Sequence, residues 1–195
     1  MTSISPLRNI HSKGLFGNYE DKKEENLVKV SEINNLLIVQ IVQFKKSQAK
    51  LDQLKIDNLF LENEALKVNS NDNTRVLWIG PNNWLLITTK KDLLKNICEI
   101  FKESDFAVTD LSHSKTIIQI EGSNVKEALK KGCPFNFNTL NKNNCVNSTF
   151  NGLALTIDMM NEDPDKVRLY VLRSFGESFY HSITDALLEF GYKCV

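Results

Sequence analysis

Neither sign of charge is in excess: Lys and Arg number 24 and Asp and Glu 24 in a chain of 195 residues, so the net charge is zero. Without a basic surplus there is little to neutralise phosphates, which argues against a nucleic-acid partner. Weak self-repulsion leaves association easy. The four cysteines, Cys98, Cys133, Cys145 and Cys194, contain no C-x-x-C pair, and there are only three histidines. Neither a structural zinc site nor a disulfide framework is expected from so sparse a set. The longest apolar-rich stretch, Leu36 to Phe44, is far too short to cross a membrane. The opening MTSISPLRNIHSKG has no apolar core and does not read as a signal peptide, so a cytoplasmic location is expected. Arginine is scarce beside abundant Asn and Lys, a bias of genome composition rather than of function.

What remains is a chain long enough to bury a real core, as one domain or two small lobes. Residues 1–26 mix Ser, Asn, Lys, Glu and Gly with little apolar periodicity. They read as an extended or disordered N-terminal arm that orders on binding. Residues 27–195 read as the folded part, with possible lobes at 27–110 and 111–195. Leu36 to Phe44 is β-branched and apolar, a buried strand. Gln48 to Leu61 reads as a helix with Leu51, Leu54 and Leu61 inward, and 69–73 as a polar connector. Thr74–Ile79 and Trp84–Thr88 read as paired strands joined by Gly80-Pro81-Asn82-Asn83. Thr89 and Asp92 suggest the start of a helix with Leu93, Leu94, Ile97, Ile100 and Phe101 on one face. Strands are expected at 106–111 and 116–120, a short helix ending at Lys130-Lys131-Gly132, and a polar loop over 138–148. Two further strands fall at 153–157 and 167–172. The last helix opens with a capping box, Ser174 and Glu177, buries Phe175, Phe179, Ile183, Ala186, Leu187 and Phe190, and stops at Gly191. Strands and helices alternate, yet hairpins are signalled too. The fold class expected is therefore α+β, with mixed or antiparallel sheets and helices packed on one face.

No catalytic signature is present: no G-x-S-x-G, H-E-x-x-H, phosphate loop or dinucleotide fingerprint. A chain holding its own FAD or NAD in a dinucleotide fold needs the Gly-rich turn that lets backbone approach a pyrophosphate. Asp110-Leu111-Ser112-His113 offers an acid, a hydroxyl and an imidazole, but spacing of this kind more often makes a turn whose side chains accept backbone N–H groups. Cys133 follows a helix whose C-terminal dipole disfavours a thiolate, so a structural thiol is expected. Trp78 and Trp84 suit the core or a subunit contact better than a cofactor stack. Arg75 and Arg173 stand out by rarity, with a surface ion pair as the default. No catalytic, cofactor-binding or metal-binding residue is assigned.

Several segments nevertheless resemble one family in order. Leu77 to Leu86, LWIGPNNWLL, is similar to its "lGPdeWLl" hairpin. Asp110 to His113 followed by Ile120-Glu121-Gly122 is similar to its "DlSh…i.l.G". Lys131-Gly132-Cys133-Pro134 resembles its "kGcp" loop, with Phe135-Asn136 where the family has an Asp. Cys145 with Thr149 resembles "ca.T", Val171 to Phe175 resembles "v.RSf", and Ser5-Pro6-Leu7 resembles an N-terminal "sPL". The family is the gamma subunit of heterotetrameric sarcosine oxidase, and the resemblance runs from about residue 74 to the end, plus the arm.

The resemblance implies an aminomethyltransferase-like, folate-binding-domain fold in two small lobes. It implies a non-catalytic subunit that supports assembly of a flavoenzyme demethylating sarcosine to glycine, with the one-carbon unit passed to tetrahydrofolate or released as formaldehyde. The partners implied are the alpha, beta and delta subunits, which hold FAD, FMN, NAD, tetrahydrofolate and zinc, with none of these on this chain. The rival reading is a stand-alone folate-binding or aminomethyltransferase-like protein. Against it, the iron–sulfur-assembly relatives carry K-G-C-[FY]-x-G-Q-E, and no Gly-Gln-Glu follows Lys131-Gly132-Cys133 here. A general scaffold of some other complex is the third possibility.

Overall fold

The structure, a computed structural model, describes residues 4–195. The chain divides into two compact units: the first takes the described residues up to Asn34, Ser114–Lys142 and Val146–Val195, and the second Asn35–His113 with Asn143–Cys145. These bounds differ from lobes at 27–110 and 111–195. Residues 27–34 belong with the C-terminal half because their strand pairs there.

The chain begins in the first unit with β1 (Gly14–Phe16) and β2 (Val28–Glu32). It crosses to the second for β3 (Leu37–Gln43), β4 (Lys55–Ile56), β5 (Leu59–Phe60), β6 (Val68–Ser70), β7 (Thr74–Gly80), β8 (Asn83–Thr88), α1 (Leu93–Ile100) and β9 (Phe106–Asp110). It returns with β10 (Lys115–Glu121), α2 (Val125–Lys130), β11 (Asn144–Phe150), β12 (Leu153–Asn161), β13 (Lys166–Leu172), α3 (Gly176–Leu187) and β14 (Tyr192–Cys194).

The first unit is a seven-stranded sheet in the order β1-β14-β2-β10-β13-β12-β11, in which β14 runs parallel to β2. Three buried rows, apolar but for Thr116, cross it: Thr116, Val171 and Leu155; Ile118, Leu169 and Ile157; Ile120, Val167 and Met159. The helix α3 covers this face. Its first residue, Gly176, lies so close to the sheet that a Cβ there would stand 2.4 Å from Thr116 Oγ1. Phe179 and Phe150 meet edge to face at 5.9 Å, and Ile183 and Leu187 are buried behind them. The expected capping box does not form. A 3-10 turn, Arg173–Phe175, precedes α3, no side chain caps the helix, and Phe175 is left exposed rather than inward. Seating Gly176 on Thr116 puts the helix start one residue later than a Ser174 cap would.

Of the arm expected at 1–26, residues 4–26 pack as an extended segment against the first unit; residues 1–3 lie outside the described part. β1 pairs antiparallel with β14 through Gly14–Cys194, Leu15–Lys193 and Phe16–Tyr192. Leu7 is fully buried, Ser5 donates to the Glu32 carboxylate, and the His11 ring is hydrogen-bonded to the Tyr180 hydroxyl at 3.0 Å. A few buried contacts, too sparse to show as periodicity, hold the arm down.

The second unit is a five-stranded antiparallel sheet, β6-β7-β8-β3-β9, with the small hairpin β4-β5 beside it. The helix expected over 48–61 is instead a 3-10 turn, Leu51–Gln53, and this hairpin. The turn residues Asp57 and Asn58 both have positive φ, 51° and 64°, the geometry of a two-residue hairpin with the right twist. Leu61 is buried and Leu51 and Leu54 partly so, as expected, but Ile56 and Leu59 go in with them, which one helix face would not do. The connector at 69–73 holds most of β6, and the loop at 138–148 holds the start of β11; both strands are polar outside and buried at Val68, Cys145 and Val146. Thr89 caps no helix: α1 starts at Leu93 and no side chain caps it. Leu93, Ile97 and Phe101 close the core over Val39, Ile41 and Trp84.

Candidate functional site

The Asp110–His113 segment is a tight turn. The Asp110 carboxylate accepts from the Ser112 backbone N–H at 2.9 Å and from its hydroxyl at 2.5 Å, and Ser112 Oγ accepts from Ile38 N–H at 3.0 Å. Acid and hydroxyl are thus engaged in joining the end of β9 to β3, and His113 is exposed.

In the Lys131–Pro134 loop, a Cβ at Gly132 would lie 2.7 Å from Asn151 Oδ1 and 2.8 Å from the Phe150 ring, so only glycine fits. Lys131 caps the far end of α3: its ammonium donates to Ala186 O at 2.7 Å, pairs with Glu189 at 2.9 Å and lies over the Phe190 ring. A cation at a helix C-terminus is the favourable sign. Cys133 is buried and its thiol donates to Ser148 Oγ at 3.1 Å.

Trp84 is fully buried and its Nε1 donates to Glu62 O at 2.6 Å. Trp78 lies directly opposite it on β7, partly buried against the same core. Arg75 reaches toward Asn143 Oδ1 at 3.5 Å. Among the described residues Arg173 forms no ion pair; its guanidinium donates to the Ile4 carbonyl of the arm.

Two clusters escaped the sequence. On the face of the seven-stranded sheet away from α3, Ser31, Gln119, Arg168 and Asp158 sit side by side across four strands. Arg168 Nε donates to Gln119 Oε1 at 3.0 Å, and Asp158 is fully buried. In the next row Tyr170 is buried beside Thr156, whose hydroxyl donates to Asn147 at 2.6 Å. The polar–apolar alternation of Lys166 to Val171 carried that signal. This row orients planar polar groups but pairs no nucleophile with a base.

The second cluster is His11, Tyr180 and Cys194, with the Tyr180 hydroxyl 3.2 Å from Cys194 Sγ. Burial pushes the Tyr180 phenol far above its ordinary range and raises the Cys194 thiol as well, so neither supplies an anionic nucleophile. An open depression of about 540 Å³ beside α3 is lined by His181, Ser182, Asp185 and Tyr192, but His181, Ser182 and Asp185 are not hydrogen-bonded to one another. Among the described residues no three His, Cys, Asp or Glu side chains gather as a metal site would require.

The segments that resemble one family are thus distributed over both units as packing and turn elements. Its family model, described as sarcosine oxidase, gamma subunit family, matches residues 55–189. The chain belongs to the sarcosine oxidase gamma subunit family. The match begins earlier than the hairpin at 74 and leaves the arm outside. The sarcosine oxidase gamma subunit of Corynebacterium sp. (strain U-96) is 27% identical over 120 residues, 60% of this chain and 58% of that protein. The aligned region thus spans little more than half the length of that relative. Among solved structures, the heterotetrameric sarcosine oxidase of Corynebacterium sp. U-96 in complex with pyrrole 2-carboxylate contains a chain of the same fold. The TM-score is 0.83 at 20% identity, covering 96% of this chain and 95% of that one. The glycine cleavage system aminomethyltransferase T of Bartonella henselae aligns over 100% of this chain and 60% of its own, with TM-score 0.60 at 10% identity. The fold of this gamma-family chain is therefore the α+β aminomethyltransferase-like one, with largely antiparallel sheets and peripheral helices.

Proposed function

We propose that the chain is a non-catalytic gamma subunit of a heterotetrameric sarcosine oxidase, acting in the cytoplasm with alpha, beta and delta subunits. In this reading it supports assembly of a flavoenzyme that oxidatively demethylates sarcosine to glycine and hands the one-carbon unit to tetrahydrofolate. The observation that carries it is the family match over residues 55–189, joined to a fold that aligns along nearly the whole of a chain from a heterotetrameric sarcosine oxidase. The side chains with reactive potential support it, because Asp110, Ser112, Cys133 and Trp84 are each engaged in holding the fold.

Co-expression with the alpha, beta and delta chains from the same source tests the reading. This chain should co-elute with them and with flavin absorbance on gel filtration, while alone it should carry no flavin and oxidise no sarcosine. Stoichiometric flavin on the isolated chain, or tight binding of tetrahydrofolate to it in a calorimetric titration, would sink the proposal in favour of a stand-alone cofactor-binding protein.

A further inference from the structure

Large apolar side chains left exposed are few among the described residues, and three converge on one corner of the first unit: Ile4, 64% exposed, Leu172, 45%, and Phe175, 44%. Leu172 ends β13, Phe175 closes the 3-10 turn that follows, and the Arg173 side chain between them holds the Ile4 carbonyl. Arg173 N–H donates to Ser114 O at 2.9 Å, and Lys115 is the direct cross-strand partner of Leu172. Two segments that the sequence marked separately, Ser5-Pro6-Leu7 and Val171 to Phe175, are thereby brought together.

The charges of this corner are unbalanced. The charged side chains of these segments are Arg8, Lys115 and Arg173 against one carboxylate, Glu177 in the first turn of α3; the Glu32 carboxylate of β2 accepts from Ser5 through one oxygen, and its other oxygen is buried away from solvent. Among the described residues neither Lys115 nor Arg173 forms an ion pair, although Lys115 is partly buried. That burial alone lowers the Lys115 pKa from its ordinary value. A desolvated ammonium without an acceptor is unfavourable and is relieved by a carboxylate brought to it. Exposed apolar side chains beside two cations that form no ion pair suit an interface whose partner brings an apolar anchor and carboxylates. A second copy of this chain does not fit, because a two-fold contact would set like cations against one another.

We propose that this corner docks another subunit of the complex, through a segment that offers an apolar side chain flanked by carboxylates. The proposal rests on the subunit reading above. The partner's side chain covers Leu172, Phe175 and Ile4, and its carboxylates meet Lys115 and Arg173. Because Arg173 also fixes Ile4, docking and the position of the arm are joined at one residue.

The test is co-expression of the full chain with the alpha, beta and delta chains, scored by co-elution with flavin absorbance, alongside thermal melts of each isolated variant. Phe175→Asp and Lys115→Glu should each weaken assembly by about tenfold or more with melts unchanged. Phe44→Asp, at an exposed apolar residue of the second unit, should assemble as the wild type does. Lys115→Met keeps the side-chain stem and removes the charge, so it reports on pairing even where Phe175→Asp fails to fold; weakened assembly of this variant supports the proposal. Normal assembly of Lys115→Glu and Lys115→Met overturns it. So does a dimer of the isolated chain in sedimentation that Phe175→Asp dissolves, which assigns the corner to self-association. If the wild type itself does not assemble, the subunit reading falls first and the docking proposal with it.

Discussion

Trp84 and Asp57 show how single side chains hold the second unit by different means. Trp84 fills the core and satisfies its own N–H on Glu62. Trp84→Ala should cost about 3–5 kcal/mol in urea unfolding of the isolated chain. Trp84→Phe, which loses the hydrogen bond and part of the volume, should cost less. Asp57 fastens the β4-β5 turn to the sheet: it accepts from Lys90 at 2.6 Å, from Thr74 at 2.6 Å and from Asn71 at 3.2 Å. The Lys90 hydrogen bond, then that of Thr74, holds its carboxyl below the ordinary value of 3.8. Between the lowered folded-state value and the ordinary one, the unfolded chain takes up a proton that the folded chain does not. The stabilisation is therefore full above the ordinary value and is lost as pH falls through the folded one. Asp57→Asn should cost about 1–2 kcal/mol at neutral pH and flatten the acid limb of stability against pH, measured by urea titrations at a series of pH values. Core membership of Trp84 was legible because strand alternation and an apolar neighbourhood mark it locally. The role of Asp57 was not, because its partners lie 14 to 33 residues away and only the fold brings them together.

At the scale of elements, the seat of α3 on β10 is set by one missing methyl. Gly176→Ala places a Cβ 2.4 Å from Thr116 Oγ1 and 3.2 Å from Thr116 Cβ, so helix or strand must shift. The expected cost is about 1–3 kcal/mol, partly recovered in the double variant with Thr116→Ala, which a double-mutant cycle of unfolding free energies would measure. Long, strongly patterned elements were legible: β3, the β7-β8 hairpin, β10, β13 and the body of α3 all lie where apolar periodicity put them. Short strands with polar outer faces were not. β6, the first half of β11 and β14 carry too few side chains to display a period, and their pairing partners are distant in sequence. The leucines of residues 51–61 fit a helix and a hairpin equally well, and Asp57-Asn58, the one local cue, decides for the hairpin only through its positive φ angles.

For the whole molecule, the arm is structure rather than tether. Deleting residues 1–16 should remove β1, Leu7 and His11 together, bare the edge of β14 and lower the melting temperature of the isolated chain by several degrees. In the intact isolated chain, proteases should leave residues 5–16 uncut; rapid cleavage there would show that the packed arm is not held. The candidate functional residues were legible mainly as resemblance: the motifs mark turns, caps and close contacts, while the polar row at Arg168 and Asp158 emerges only when four strands are laid side by side. β14 lies between β1 and β2. During synthesis, strands β3 to β9 and α1 all leave the ribosome by Asp110, so the sheet of the second unit is available to form early. The first unit cannot close until Tyr192–Cys194 emerges and slides between two strands made before the whole of the second unit. Until then β1 and β2 stand without the neighbour that separates them, so the sheet begun before the second unit is completed only after it.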